Sequence, residues 1–217
     1  MSEKIRLQEG VEDYIGRREI DNRIAQLGEE ISKHYLDLFG NEAKKVHVVS
    51  LAQGGDFFGV PLVQAMYDGG VSSLWSSIRV SQPHAGTSEA GAVVVRDNLD
   101  FNPKGEHILV VDDVLDSGKT LAKLTSSIRN SSPASLAIAA LTEKVGALHD
   151  EITIDADKTF IGFRVANRFL VGRGMDYQPY PEEPGLYREL PHITVAVPDE
   201  SGFFVPLVTK EPIALNI

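Results

Sequence analysis

Ile20, Ile24, Leu27, Ile31, Tyr35 and Leu38 recur at spacings of three and four, the repeat of a helix with one apolar face, and Gly40 supplies its stop. Residues 46–51 change to a short apolar run that reads as a strand. A glycine-bearing loop, residues 52–56, then leads to a second helix at residues 57–67, which carries Pro61 and closes at Gly69-Gly70. Strands follow at residues 74–80 and 92–95. Between them, residues 81–91 lack apolar periodicity and hold Pro83, Gly86 and Gly91, so they are predicted to form a long mobile loop. The turn Asn102-Pro103-Lys104-Gly105 opens onto a strand at residues 107–111. A helix at 121–128 and strands at 136–142, 160–163 and 169–171 complete the pattern.

Alternation of strand and helix from residue 46 to residue 142 predicts an α/β fold. Right-handed crossovers place the helices on both faces of a mostly parallel sheet. Residues 1–16 and 185–217 fall outside this rhythm. They are expected to pack together as a small cap, or hood, beside the sheet's carboxyl edge, leaving residues 17–184 as the core. Within the second of these segments, residues 198–217 read as a hairpin with a turn at Ser201-Gly202.

Composition narrows the classes. A chain of 217 residues with 42% hydrophobic content is large enough to bury one sizeable core. It has no cysteine, which excludes disulfides, thiolate metal sites and a cysteine nucleophile. The formal charge of −10 argues against a nucleic-acid partner, because the basic groupings Arg17-Arg18 and Lys44-Lys45 are too short for a phosphate-binding stripe. No apolar run approaches the ~20 residues that cross a bilayer, and residues 1–16 have no apolar stretch of the signal-peptide kind, so neither a membrane partner nor secretion is expected. The expected location is the cytoplasm.

Candidate chemistry concentrates after the strand Ile108-Leu109-Val110-Val111. Asp112 and Asp113 stand at its carboxyl end, and Asp116-Ser117-Gly118-Lys119-Thr120 turns into a helix. Ligands of open α/β sheets bind outside the carboxyl ends of the strands. The turn offers backbone N–H groups, two hydroxyls and a helix N-terminus, all of which favour a phosphate. The two acids suit ribose hydroxyls or a divalent cation that holds further phosphates. A nucleotide-cradling P-loop is excluded, since its first glycine would fall on Asp113. Three acids within five positions repel one another unless a cation or hydroxyls receive them, which disfavours a merely solvated turn.

Two acids, two apolar residues and Asp-Ser-Gly-Lys-Thr resemble the phosphoribosyl-pyrophosphate (PRPP) signature of the type I phosphoribosyltransferases. Other segments are similar to the hypoxanthine-guanine, or 6-oxopurine, branch of that family. Val48 to Phe58, with Gln53 and Gly54, resembles the branch's first loop, which meets pyrophosphate. Leu141-Thr142-Glu143-Lys144 resembles a strand ending in a lysine that reads the purine carbonyl. Residues 160–163, 169–172 and 175–177 resemble its purine pocket and second metal site. Arg188-Glu189-Leu190-Pro191-His192 resembles the segment whose arginine binds pyrophosphate.

The resemblance implies a Mg²⁺-dependent enzyme that joins N9 of hypoxanthine or guanine to C1 of PRPP and releases pyrophosphate. It implies Asp116 as general base at purine N7. Gln53, Gly54, Asp112, Asp113, Asp116, Ser117, Gly118, Lys119, Thr120 and Arg188 would contact PRPP. Lys144, Phe169, Leu170 and Asp176 would contact the purine, and Asp112, Asp113 and Asp176 the metal. The family expectation is a homodimer or homotetramer. Each position has chemistry to match: Lys144 can donate to an exocyclic O6, Phe169 offers an aromatic face, and Arg188 can pair bidentately with pyrophosphate. The residues 81–91 would act as a lid that keeps water from the reacting sugar. Tyr177, Tyr180 and Tyr187 are expected to pack the cap, and Trp75 and His107 to serve structure.

The chain departs from the branch at Gln53, where a lysine is usual, and at Gln82-Pro83, where a Ser-Tyr pair is usual. Those departures leave room for two other readings. One is transfer to xanthine or a pyrimidine; the other is a non-catalytic PRPP or nucleotide sensor on the same fold.

Overall fold

The computed structural model describes residues 14–40, 42, 44–81, 94–95, 99–177, 185–198, 200 and 204–206. In chain order the elements are β1 (Tyr14–Ile15), α1 (Arg17–Phe39), β2 (Val46–Ala52), α2 (Gly54–Asp68), β3 (Ser73–Ser81) and β4 (Val94–Val95). They continue with β5 (His107–Leu115), α3 (Lys119–Arg129), β6 (Ser135–Lys144), β7 (Lys158–Val165), β8 (Leu170–Val171), β9 (Ile193–Pro198) and β10 (Phe204–Pro206). The main sheet runs β4-β3-β2-β5-β6-β7. Five of these strands are parallel, and β4 pairs antiparallel at the edge. The predicted mostly parallel α/β sheet flanked by helices is therefore present.

Two buried clusters hold the sheet between its helices. On one face, α1 and α2 bring Ile24, Leu27, Ile31, Phe58 and Leu62 against Val46, Val48, Leu109 and Val111. On the other, Leu121, Leu124 and Ile128 of α3 pack on Val49, Ile108, Val110 and Ile138. Neighbouring residues of β2 and β5 thus face opposite layers, and a strand covered on both sides reads as an unbroken apolar run. α1 ends at Gly40, as its periodicity predicts, with the Gly40 N–H bonded to Leu36 O at 3.1 Å. Its last apolar position needs correction. Leu38 is 46% exposed, and Phe39 turns inward in its place.

Two further expectations change. The second helix begins at Gly54, three residues before the predicted start. Gly54 and Gly55 are helical, and they are glycine because the helix start lies against β5. A Cβ on Gly55 would sit 2.8 Å from Val111 O, and one on Gly54 would sit 1.9 Å from Asp113 Oδ2. The signature strand also runs past Val111, pairing with β6 through Asp112, Val114 and Leu115.

A second, smaller sheet joins β1, β9 and β10, and β8 pairs with β9. The terminal segments thus meet: Tyr14 lies opposite Thr194, and Ile15 opposite Ile193. β8 falls within residues 17–184 yet belongs to this sheet, so the core segment itself reaches into the cap. The antiparallel pairing of Phe204 with Pro198 matches a hairpin, whose turn at Ser201-Gly202 lies outside the described residues. The expected loop beyond Ser81, with Gln82, Pro83 and His84, lies outside them as well. No helix among the described residues is long and apolar enough to cross a membrane.

Candidate active site

A cavity of about 600 Å³ opens at the carboxyl ends of β2, β5 and β6. It gathers residues from six separate stretches of chain. Gln53 and Gly54 come from the start of α2, and Asp112 through Gly118 and Thr120 from the end of β5 and the following turn. Lys144 comes from β6, Phe169 and Leu170 from the start of β8, and Asp176 and Arg188 from the cap side. Lys119 is the exception among the predicted site residues. It is the first residue of α3, its side chain is exposed, and it does not line the cavity.

Gly118 allows the turn to close. Its φ of 78° is left-handed, and a Cβ there would lie 2.9 Å from Leu148 Cδ2. The residues that follow start α3 without a side-chain cap at Gly118, so the first N–H groups of the helix face the turn without a side-chain cap there. The Ala52–Gln53 peptide bond is cis, and Gln53 is exposed at the cavity edge.

The acids of the site differ in state. Asp113 is 8% exposed, and its backbone N–H donates to Asp112 Oδ1 at 3.0 Å. Burial, then the charge of Asp113, pushes Asp112 well above the usual carboxylate range. Burial also raises Asp113, although the Asp112 hydrogen bond and the Arg188 guanidinium pull partly against it. A cation or hydroxyl donors placed against two such acids would favour their ionised forms. Asp116 is half exposed, and Lys144 Nζ donates to its Oδ2 at 2.6 Å. That pair puts a cation and a carboxylate side by side at the end of β6.

Opposite them, Arg188 donates to Asp176 Oδ2 and to Gly174 O. Phe169 is 40% exposed on the cavity wall, and Tyr177 meets it edge-on with ring centroids 5.7 Å apart. Tyr177, read from sequence as cap packing, thus braces the aromatic wall; Tyr180 lies outside the described residues. His107 is buried 2.8 Å from Ser135 Oγ, and Trp75 packs over Gly59, both in structural positions. Among the described residues no three His, Asp or Glu side chains converge on a point that would hold a metal alone. Met175, within the segment that resembles the purine pocket, lines the cavity; Val114 lines it too, and sequence reading missed it because an apolar residue inside a strand carries no chemical signal.

Residues 17–178 match the phosphoribosyl transferase domain family. The chain belongs to the phosphoribosyltransferase family. It is 31% identical over 175 residues to a hypoxanthine-guanine phosphoribosyltransferase of Mycobacterium tuberculosis, spanning 81% of this chain and 80% of that protein. It is 32% identical over 183 residues to a hypoxanthine phosphoribosyltransferase of Escherichia coli, spanning 84% and 93%. Among solved structures, the hypoxanthine phosphoribosyltransferase from Trypanosoma cruzi in complex with the product IMP superposes with a TM-score of 0.70. The sequence identity is 27%, over 88% of this chain and 96% of that one. As a phosphoribosyltransferase, the chain is a transferase.

Proposed function

We propose that this phosphoribosyltransferase moves the 5-phosphoribosyl group of PRPP to N9 of a 6-oxopurine, giving IMP or GMP and pyrophosphate. The Lys144–Asp116 pair in a cavity walled by Phe169 carries the reading. Lys144 donates to O6 of the base, which an amino group at that position would not accept. Asp116 lies beside it to take a proton at the imidazole edge, and Phe169 stacks on the ring face. Leu170, buried at the start of β8, presents backbone groups to the base edge.

On the sugar side, the N–H groups of residues 117–120 and the hydroxyls of Ser117 and Thr120 receive the 5′-phosphate. Lys119 contributes its backbone there rather than its side chain. Asp112 and Asp113 hold the ribose hydroxyls. Arg188, released from Asp176, clamps pyrophosphate with the backbone at Gln53 and Gly54. As the C1–O bond to pyrophosphate breaks and the N9–C1 bond forms, positive charge grows on the ring between these acids.

The donor set fits Mg²⁺. The paired acids Asp112 and Asp113 have carboxyl oxygens that a cation would draw into the ionised form, and Asp176 shares their cavity. Magnesium takes one or two carboxylates and completes its shell with substrate oxygens and water. When bound it neutralises charge on the departing pyrophosphate. The same reading includes a homodimer or homotetramer working in the cytoplasm.

The test is incubation with PRPP, Mg²⁺ and, in turn, hypoxanthine, guanine, xanthine, adenine, orotate and uracil, with pyrophosphate measured. Release with hypoxanthine or guanine is expected. Release only with xanthine or a pyrimidine would replace the substrate, and none with any base would favour a PRPP sensor.

A further inference from the structure

The Asp176–Arg188 pair does not stand on a regular element. It hangs from a turn, residues 172–176, that the fold must fix by other means. Gly172 and Gly174 adopt φ of 96° and 106°, and Arg173 between them adopts 52°, left-handed for a residue with a side chain. Backbone bonds tie the turn to the segment opposite: Arg173 N to Leu190 O at 2.8 Å and Gly174 N to Arg188 O at 3.1 Å. Gly174 also lies so close to the start of α2 that a Cβ would come within 2.4 Å of Gly54 O. The turn is anchored to the core by the buried Met175 and, at its outer side, by one charged side chain. The Arg173 guanidinium donates to Asp21 on α1, which in turn lies 3.5 Å from Arg17 Nε. The Arg173 side chain is 17% exposed, and its Nε is buried with no partner among the described residues.

We propose that Arg173 is a positioning residue, pinned by Asp21, that sets the height of Asp176 and Arg188 over the pyrophosphate side of the cavity. A left-handed arginine between two glycines has no conformational reason to be there, since glycine would adopt that φ without cost. The ion pair to α1 supplies a reason. Without it the turn retains its bonds to residues 188–190 and moves with them as a unit, carrying both cavity side chains away from α2. Arg173 itself touches no substrate. The inference rests on the phosphoribosyl-transfer reading for the identity of the ligand, though not for the geometry.

The test compares Arg173→Met, Asp21→Asn, their double variant and Arg173→Lys. Two readouts serve: steady-state kinetics, and calorimetric titration with inorganic pyrophosphate and Mg²⁺. Arg173→Met is expected to raise KM for PRPP about tenfold and weaken pyrophosphate binding equally, with kcat within about threefold, since ground-state and transition-state binding are lost together. Asp21→Asn should reproduce most of this. The double variant should be no worse than Arg173→Met, because both remove one link. Arg173→Lys, which keeps the charge, should recover most of the affinity. Asp21 is on the surface, so Asp21→Asn carries the test if Arg173→Met fails to fold. Unchanged KM and pyrophosphate affinity in folded variants, or additive losses in the double variant, would overturn the proposal while leaving the transfer reading intact. Wild-type protein that neither binds pyrophosphate nor turns over any base would overturn both.

Discussion

At the amino end of β5, His107 lies 2.8 Å from Ser135 Oγ and Tyr35 donates to Ile108 O at 3.0 Å. Phe39 and Tyr35 pack edge-on around the histidine. At the carboxyl end of the same strand, Asp112 and Asp113 sit side by side in the cavity wall, and both are held above the usual carboxylate range, chiefly by burial. One end gives Tyr35 Oη and His107 Nδ1 partners inside the protein, with His107 Nε2 buried and unpartnered among the described residues. The other places like charges together and leaves their partners to a ligand. A site built this way costs stability until it is filled, and the packing elsewhere along β5 offsets that cost.

The largest effect should come from the half-exposed end of this contrast. Asp116→Asn is expected to lower kcat by about 10²–10⁴, the usual worth of one positioned proton transfer, while PRPP binding stays nearly unchanged. Near-full turnover in that variant would remove the base from the mechanism.

Asp112→Asn breaks the comparison directly. A carboxyl whose folded pKa is raised contributes stability only below the ordinary carboxylate range and loses it as pH rises through the raised value. Above the ordinary carboxylate range the pair therefore opposes folding. The amide keeps the acceptor for the Asp113 N–H and removes one ionisable group from the pair. The ligand-free protein should melt a few degrees higher, and calorimetry should show PRPP with Mg²⁺ binding about 10- to 100-fold more weakly, the loss of a charged hydrogen bond. A lower melting temperature would show that the acids are already compensated within the protein.

Two glycines sharpen the contrast between site and scaffold. In Gly54→Ala the new methyl meets Asp113 Oδ2, so PRPP affinity should fall roughly tenfold, about 1.4 kcal/mol. In Gly28→Ala the methyl meets Ala65 between α1 and α2, 2.4 Å from its Cβ, far from the cavity. There, overpacking should cost ~1–3 kcal/mol in denaturant melts and leave KM alone.

The smallest effect belongs to the amino end. Burial lowers the pKa of His107 and His34 below the ordinary histidine value. Their stability contribution is full above pH ~6.5 and declines as pH falls through the unfolded value toward the folded ones. Melting temperature should therefore drop as pH falls below about 6.5, and less so in His107→Asn.

Those two ends were not equally legible in the sequence. Apolar runs marked β2, β5 and β6, because strands buried on both faces have few polar positions to interrupt them, whereas the half-exposed β3 and β7 showed only shorter apolar stretches. The Asp112–Thr120 segment was legible because acids and small residues follow directly on a buried strand, where open α/β sheets receive ligands. Gly54 and Gly55 misled, since a glycine needed for close packing looks like one needed for a turn. Leu38 misled because a period of three or four fits two neighbouring positions at a helix end. Lys119 lies within a binding motif, yet the helix start turns its side chain outward. The Asp21–Arg173 contact joins residues 152 positions apart, and no local pattern connects them.

The central claim is that the turn after Leu115 seats the 5′-phosphate of PRPP. Diffraction from crystals soaked with PRPP and Mg²⁺ tests it most directly. The expected density places that phosphate on the backbone N–H groups of residues 117–120, with the ribose hydroxyls at Asp112 and Asp113. A phosphate bound anywhere else, with the turn empty, would contradict it.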